Sequence, residues 1–107
     1  MLTKQQRLTR REFETYFKSG RRFHTKNLQL IYSPRETFHG AIVVGKKVFK
    51  QAVKRNEMRR RLYGVLYRES STRGLVGVYI IMAKPGAQAM SHSDLLTEAK
   101  NLLGQIK

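Results

Sequence analysis

The chain changes its hydrophobic period several times, and those changes divide it into elements. Thr9-Arg10-Arg11-Glu12 has the spacing of a capping box, with Thr as N-cap and Glu at the third helical position. Phe13, Tyr16 and Phe17 follow at i, i+3, i+4, which predicts a short helix with three rings on one face, closed by Gly20 as a C′ terminator. Arg21–Thr25 is basic and short, with an edge strand expected around Phe23. Leu28, Leu30 and Tyr32 alternate with Gln29 and Ile31 and predict a strand. Ser33–Phe38 contains Pro34 and predicts a turn. His39–Val44 then resumes as a strand and is expected to form a hairpin with the one before.

The longest helix is expected from about Gln51 to Arg68. Met58, Leu62, Val65 and Leu66 fall on one apolar stripe at 100° per residue. Asn56, Arg60, Tyr63 and Tyr67 form a polar flank beside it, Lys54, Arg61 and Arg68 lie opposite, and Arg55 sits near the stripe's edge. Glu57 is the one acid in the basic run and is placed to pair with Arg60 or Arg61. Ser70–Gly74 reads as a loop, and Val76–Ala83 as an apolar strand, central and covered on both faces. Pro85-Gly86 predicts a turn. Ser91 or Ser93 can cap a last helix whose stripe is Leu95, Leu96, Ala99, Leu102, Leu103 and Ile106. Leu2–Leu8 carries no such pattern and is expected to be a flexible basic arm, residues 1–8, of a single domain spanning 1–107.

The order α-β-β-β-α-β-α predicts an α+β domain with helices packed on a small four-stranded sheet. If the strands on either side of the long helix are parallel, the unit is a crossover, and base rates make such crossovers right-handed.

Charge changes the picture most. Twenty-two Lys and Arg against seven Asp and Glu leave a net charge of +15. A compact domain that basic repels itself, and an anionic partner relieves the repulsion; nucleic acid comes first and an anionic membrane second. The 40% of hydrophobic residues excludes a disordered tail. The N-terminal stretch has no apolar core of a signal peptide, and the longest apolar run, Leu75–Ala83, is far short of the ~20 residues of a transmembrane helix. There is no cysteine, hence no thiolate chemistry and no disulfide framework.

The acids (Glu12, Glu14, Glu36, Glu57, Glu69, Asp94, Glu98) make no acid–base or metal motif, and His24, His39 and His92 lack ligand spacing. No phosphate-cradling glycine loop is present. The residues therefore describe a binder with no catalytic side chain. A basic helix beside a sheet and an aromatic helix suits irregular RNA with a single strand better than a uniform duplex groove. The rings of Phe13, Tyr16 and Phe17 have two readings: core, or the rim of a groove on which bases stack. Glycine at 45 is expected to permit close backbone approach at the end of the strand carrying Lys46 and Lys47.

The central stretch resembles the protein subunit of bacterial ribonuclease P. That family's signature is approximately V-S-K-K-V-x-x-A-V-x-R-N-x-x-K-R. This chain has Val44-Gly45-Lys46-Lys47-Val48, then Ala52-Val53-Lys54-Arg55-Asn56-Glu57-Met58-Arg59-Arg60. Leu8, Phe13, Phe17 and Gly20 match the family's opening, and Tyr79–Ala87 with the leucine-rich last helix match its close. There are departures. Gly45 replaces a frequent Ser and Arg59 a Lys, and Tyr63-Gly64 stands where Arg-Glu is usual, which leaves Arg61 to replace that arginine. The family has an aromatic on its second strand; Tyr32 is the nearest here, although strict register points to Ile31.

The resemblance implies a ribosomal protein S5 domain 2-like fold with a left-handed βαβ crossover, against the base rate. It implies that an RNA subunit cleaves precursor tRNA with Mg²⁺ held mainly by the RNA, in the cytoplasm, with no further protein partner required and no membrane. It further implies that Lys46, Lys47, Lys54, Arg55, Asn56, Arg59, Arg60 and Arg61 face the catalytic ribonuclease P RNA. Phe13, Tyr16, Phe17 and Tyr32 would line the groove for the 5′ leader. The rival reading is a ribosomal or assembly protein that uses the same helix on structural RNA.

Overall fold

The most apolar strand takes the middle of the sheet. A computed structural model describes residues 4–106; residues 1–3 and 107 lie outside it. Its elements are α1 (Arg10–Ser19), β1 (Arg21–His24), β2 (Leu28–Ser33), β3 (Phe38–Val43), α2 (Ala52–Arg73), β4 (Gly77–Ala83) and α3 (His92–Leu103). The sheet order is β1-β2-β4-β3. β4 pairs antiparallel with β2 and parallel with β3. The hairpin expected between β2 and β3 is therefore absent: β4 lies between them. The reason is burial. Val78 to Ile81 are all buried, and only an interior position covers both faces of such a run. The parallel pairing makes β3–α2–β4 the crossover.

Strand alternation sorts the side chains into two layers. On one face, α2 and α3 pack Met58, Leu62, Val65, Leu66, Leu95 and Leu102 against Leu28, Leu30, Ile42, Tyr79 and Ile81. The Tyr79 hydroxyl, within that layer, donates to the Val76 carbonyl at 2.9 Å, and burial raises its pKa. On the other face the fully buried apolar side chains among the described residues are Ile31, Val78 and Ile80, covered by Phe13, Tyr16, Phe17 and Leu8.

Several boundaries differ from expectation. α2 continues through Ser70–Arg73, which the sequence presents as loop. Ser70 is buried and its hydroxyl donates to the Tyr67 carbonyl at 2.7 Å, so the helix satisfies a residue that elsewhere breaks helices. The helix stops at Gly74, whose φ of 61° and ψ of 41° are left-handed. Gly20 ends α1 for a different reason. Its φ is −72°, and a Cβ there would collide with the Ile31 side chain and approach the Tyr16 carbonyl oxygen to 2.8 Å. No atom lies within 4 Å of a Cβ at Gly45, so the close approach expected there does not occur. Pro85–Ala89 forms a 3-10 turn, and Ser91, not Ser93, caps α3 by accepting from the Asp94 N–H. Ile106 lies beyond the end of α3, half-buried against the core.

Within 1–8, the described residues 4–8 are docked. Lys4–Gln6 is a 3-10 turn, Arg7 forms a parallel bridge to Gly40, and Leu8 packs under α1. β3 is an edge strand, and the arm covers part of that edge.

Candidate nucleic-acid interface

The Thr9 capping box is present in full. The Thr9 N–H donates to Glu12 Oε1 at 2.9 Å and the Glu12 N–H to Thr9 Oγ1 at 3.2 Å. Arg35, from the turn after β2, reaches the other Glu12 oxygen at 2.9 Å. The Thr9 backbone and the Arg35 guanidinium hold the Glu12 pKa down to about 2. These contacts fix α1 across the sheet.

The rings of Phe13 and Phe17 stack with centroids 5.7 Å apart, and the Arg22 guanidinium lies 4.9 Å over Phe17. Arg22 also donates to the Phe17 carbonyl at 2.8 Å. Phe13, Tyr16 and Phe17 are half-buried: they cover Ile31, Val78 and Ile80 and remain partly exposed. These rings thus pack on the core with one side and keep the other open to solvent. Tyr32 is not with them. Alternation turns it to the opposite face, where it packs on Tyr79 at 5.2 Å, and Ile31 takes the place under α1. The expected fourth member of the aromatic groove is corrected accordingly.

α1 does not cover its whole face. Gln29 stands opposite Met82, and Met82 opposite Val43; His24 faces Gln29 from β1. This row shares the α1 face, and its members are half-buried or exposed. It forms an open strip beside the α1 aromatics. The strip ends at Val43, from which the chain runs directly into Lys46-Lys47. No sequence pattern singled out Gln29, Met82 or Val43, because only the register places them side by side.

The basic residues of α2 divide into groups. Lys46, Lys47, Lys50 and Lys54 surround a cavity of about 640 Å³ at the start of the helix. Asn56, Arg59 and Arg60 line a groove of about 700 Å³ between α2 and the free edge of β3. Asn56 Oδ1 accepts from the Arg59 guanidinium, so the asparagine orients its neighbour. Arg61 lies elsewhere, near Lys54, Glu57 and His92 where α2 approaches α3. Among the described residues Glu57 makes no ion pair with Arg60 or Arg61. Arg55 turns back: it donates to the Phe49 and Lys50 carbonyls at 3.0 and 2.7 Å and pins the turn that carries the lysines. The expectation placed Arg55 facing RNA; the structure shows its guanidinium bracing the turn from within.

Arg7, Ile42, Val53 and Tyr63 complete the groove without having been expected there. Arg7 enters it from the docked arm, and the Tyr63 hydroxyl accepts the edge N–H of Ile42 at 3.3 Å. Tyr63, where an arginine is usual in the family signature, thus satisfies a strand edge that would otherwise be left to water. Arg7 carries no motif, and only its bridge to Gly40 brings it there.

Among the described residues no three His, Asp, Glu or Cys side chains converge to hold a metal ion. No helix among the described residues is long and apolar enough to cross a membrane.

The family model "Ribonuclease P" matches residues 2–107. A Synechococcus elongatus ribonuclease P protein component is 35% identical over 107 residues, 91% of this chain and 86% of that protein. A Nitratiruptor ribonuclease P protein component is 32% identical over 99 residues, 92% of this chain and 89% of that protein. The ribonuclease P protein from Thermotoga maritima superposes with a TM-score of 0.83 at 19% identity, covering 94% of this chain and 97% of that one. The Staphylococcus aureus protein does so with a TM-score of 0.78 at 18% identity, covering 95% of both chains; these two likenesses concern the fold.

Proposed function

The chain belongs to the ribonuclease P protein family, as a protein component of that tRNA-processing ribonucleoprotein, and we propose that it bridges the RNA component and the 5′ leader of precursor tRNA. The α2 face, with Lys46, Lys47, Lys54, Asn56, Arg59 and Arg60, binds the RNA component. The open strip of the sheet, bordered by Phe13 and Phe17, takes the unpaired leader. The cleavage chemistry, with its Mg²⁺, belongs to the RNA, in the cytoplasm.

The observation that carries this reading is the continuity of the two surfaces along β3. The half-open row ends at Val43, and the basic turn begins three residues later. Single-stranded RNA needs stacking surface and phosphate contacts together, and here they adjoin. The catalytic RNA and its substrate are both polyanions, and a body of charge +15 between them screens their repulsion. Lys54 and Arg61 extend the positive field towards α3, and Arg55 keeps the lysine turn in place.

The test is cleavage of a precursor tRNA by a bacterial ribonuclease P RNA at low Mg²⁺, with and without this chain. Stimulation with correct 5′ processing is expected. Tight, salt-sensitive RNA binding without stimulation by any bacterial ribonuclease P RNA tried would move the protein to structural RNA binding.

A further inference from the structure

The groove between α2 and the β3 edge has a composition that a phosphate-only contact does not require. Its polar side holds three guanidinium groups, Arg7, Arg59 and Arg60, drawn from two parts of the chain. No carboxylate lines it, and among the described residues none of the three has an ion-pair partner. Three like charges around one cavity favour an anion between them, and the guanidinium fork suits phosphate oxygens. The other side is apolar: Ile42, the Tyr63 ring and Val53, which is 67% exposed. Val53 contributes nothing to the core and adds apolar surface to the groove at the first turn of α2. The floor is set by backbone pairing. Arg7 is fixed by its bridge to Gly40, and the Ile42 N–H is satisfied by Tyr63. The groove, at about 700 Å³, is open to solvent and has room for one nucleotide.

We propose that this groove is a site for a single unpaired nucleotide, its phosphate held by Arg7, Arg59 and Arg60 and its base laid against Val53 and Tyr63. The inference rests on the proposed RNA-binding role and makes it more specific: α2 captures a nucleotide flipped out of an RNA, in addition to meeting a backbone. The arm is then part of the interface, and Arg7 is a binding residue. Discrimination comes from the apolar wall, which phosphate alone cannot use.

The experiment is an NMR titration of the whole chain with 5′-AMP and, separately, with inorganic phosphate, on the wild type, Arg7→Ala and Val53→Asp. AMP is expected to shift the Val53 methyls, the Tyr63 ring and the Ile42 amide, whereas phosphate leaves the methyls in place. Arg7→Ala is expected to weaken AMP binding roughly tenfold, the size of a lost charge-assisted contact. Val53→Asp is expected to abolish the difference between the two ligands. Equal shifts from AMP and phosphate, or AMP binding undiminished in Arg7→Ala with its amide spectrum intact, would overturn the proposal. Neither result bears on the cleavage assay: a chain that stimulates cleavage yet treats AMP as phosphate keeps its function and loses this site. A chain that binds AMP as described yet never stimulates cleavage does the reverse.

Discussion

The two faces of the sheet are built to different standards. Beneath α2 and α3, side chains from both helices and all four strands close over one another. Beneath α1 three residues are fully buried, and the row Gln29, Met82, Val43 is left half-open. A domain of this size has surface enough for one core and little more. The second face can therefore stay incomplete at small cost, and an incomplete face flanked by aromatics and guanidinium groups suits the leader-binding role proposed for it. The contrast is between a face that holds the fold and a face that the fold presents.

The largest effect should separate those roles. Leu62, fully buried on the closed face, becomes a cavity as Leu62→Ala; a loss of about 3 kcal/mol in unfolding free energy is expected. Met82→Gln, on the open strip, should cost under about 1 kcal/mol. Urea titration of both variants measures the difference. Equal losses would mean that the two faces carry equal weight, and the division between them would be wrong.

The α1 rings belong to both roles, so their test must keep the packing. Phe17→Leu retains apolar volume and removes the ring that Arg22 covers. Its preference for precursor over mature tRNA should fall by roughly tenfold, the order of one lost base stack, with a thermal midpoint close to wild type. A drop in midpoint with preference unchanged would assign the ring to the core alone.

A similar comparison runs along α2. Arg55 donates inward to two carbonyls, whereas Arg59 and Arg60 face a groove. Arg55→Ala should cost about 1.5 kcal/mol of stability and leave the salt dependence of RNA binding nearly unchanged. Arg59→Ala with Arg60→Ala should do the opposite, with the slope of log K against log salt reduced by roughly one unit per phosphate contact. Binding measured across a potassium chloride series decides it. An Arg55→Ala slope as flat as that of the double variant would put Arg55 back on the RNA.

The sequence made the closed face legible and left the open one half hidden, for physical reasons. Met58, Leu62, Val65 and Leu66 recur at helical period because a buried stripe must, and the structure buries all four. The capping box at Thr9 is local chemistry and reads directly. The strip is a product of register. Gln29, Met82 and Val43 are far apart in the chain and meet only because β4 inserts between β2 and β3. The expected hairpin failed on that insertion, since neighbours in sequence are usually neighbours in a sheet and here are not. Tyr32 failed by one step of alternation, which moves a side chain to the other face. Arg55 donates inward to the open carbonyls at a helix start, a partnership that a motif does not reveal. Arg7 lacked any periodic signal, as its position is set by an isolated bridge.

Acid should touch the two faces through two carboxylates, and the weaker effect is the more specific. Glu98 ties α3 to the β1–β2 turn. Burial alone would raise its pKa, but Thr25 and Asn27, donating at 2.6, 2.8 and 3.0 Å, hold it below the usual range. Glu12 ties α1 to the open face through Thr9 and Arg35, with its pKa down at about 2 from 4.5. A depressed carboxylate pKa means that the folded state prefers the ionised form. Its contribution is complete above about pH 4.5 and is lost as the pH falls through about 2. Glu12 is about one-third exposed, so solvent screens the pair and makes its effect on stability smaller than those of Leu62 and Arg55. Glu12→Gln keeps the shape and removes the charge. The midpoint difference between wild type and variant should be constant from pH 7 to 5, shrink towards pH 2, and shrink at any pH when salt is raised. A difference unchanged between pH 6 and pH 2.5 would place the effect in the cap's geometry, and α1 would then be held on its face by packing and hydrogen bonds without help from charge.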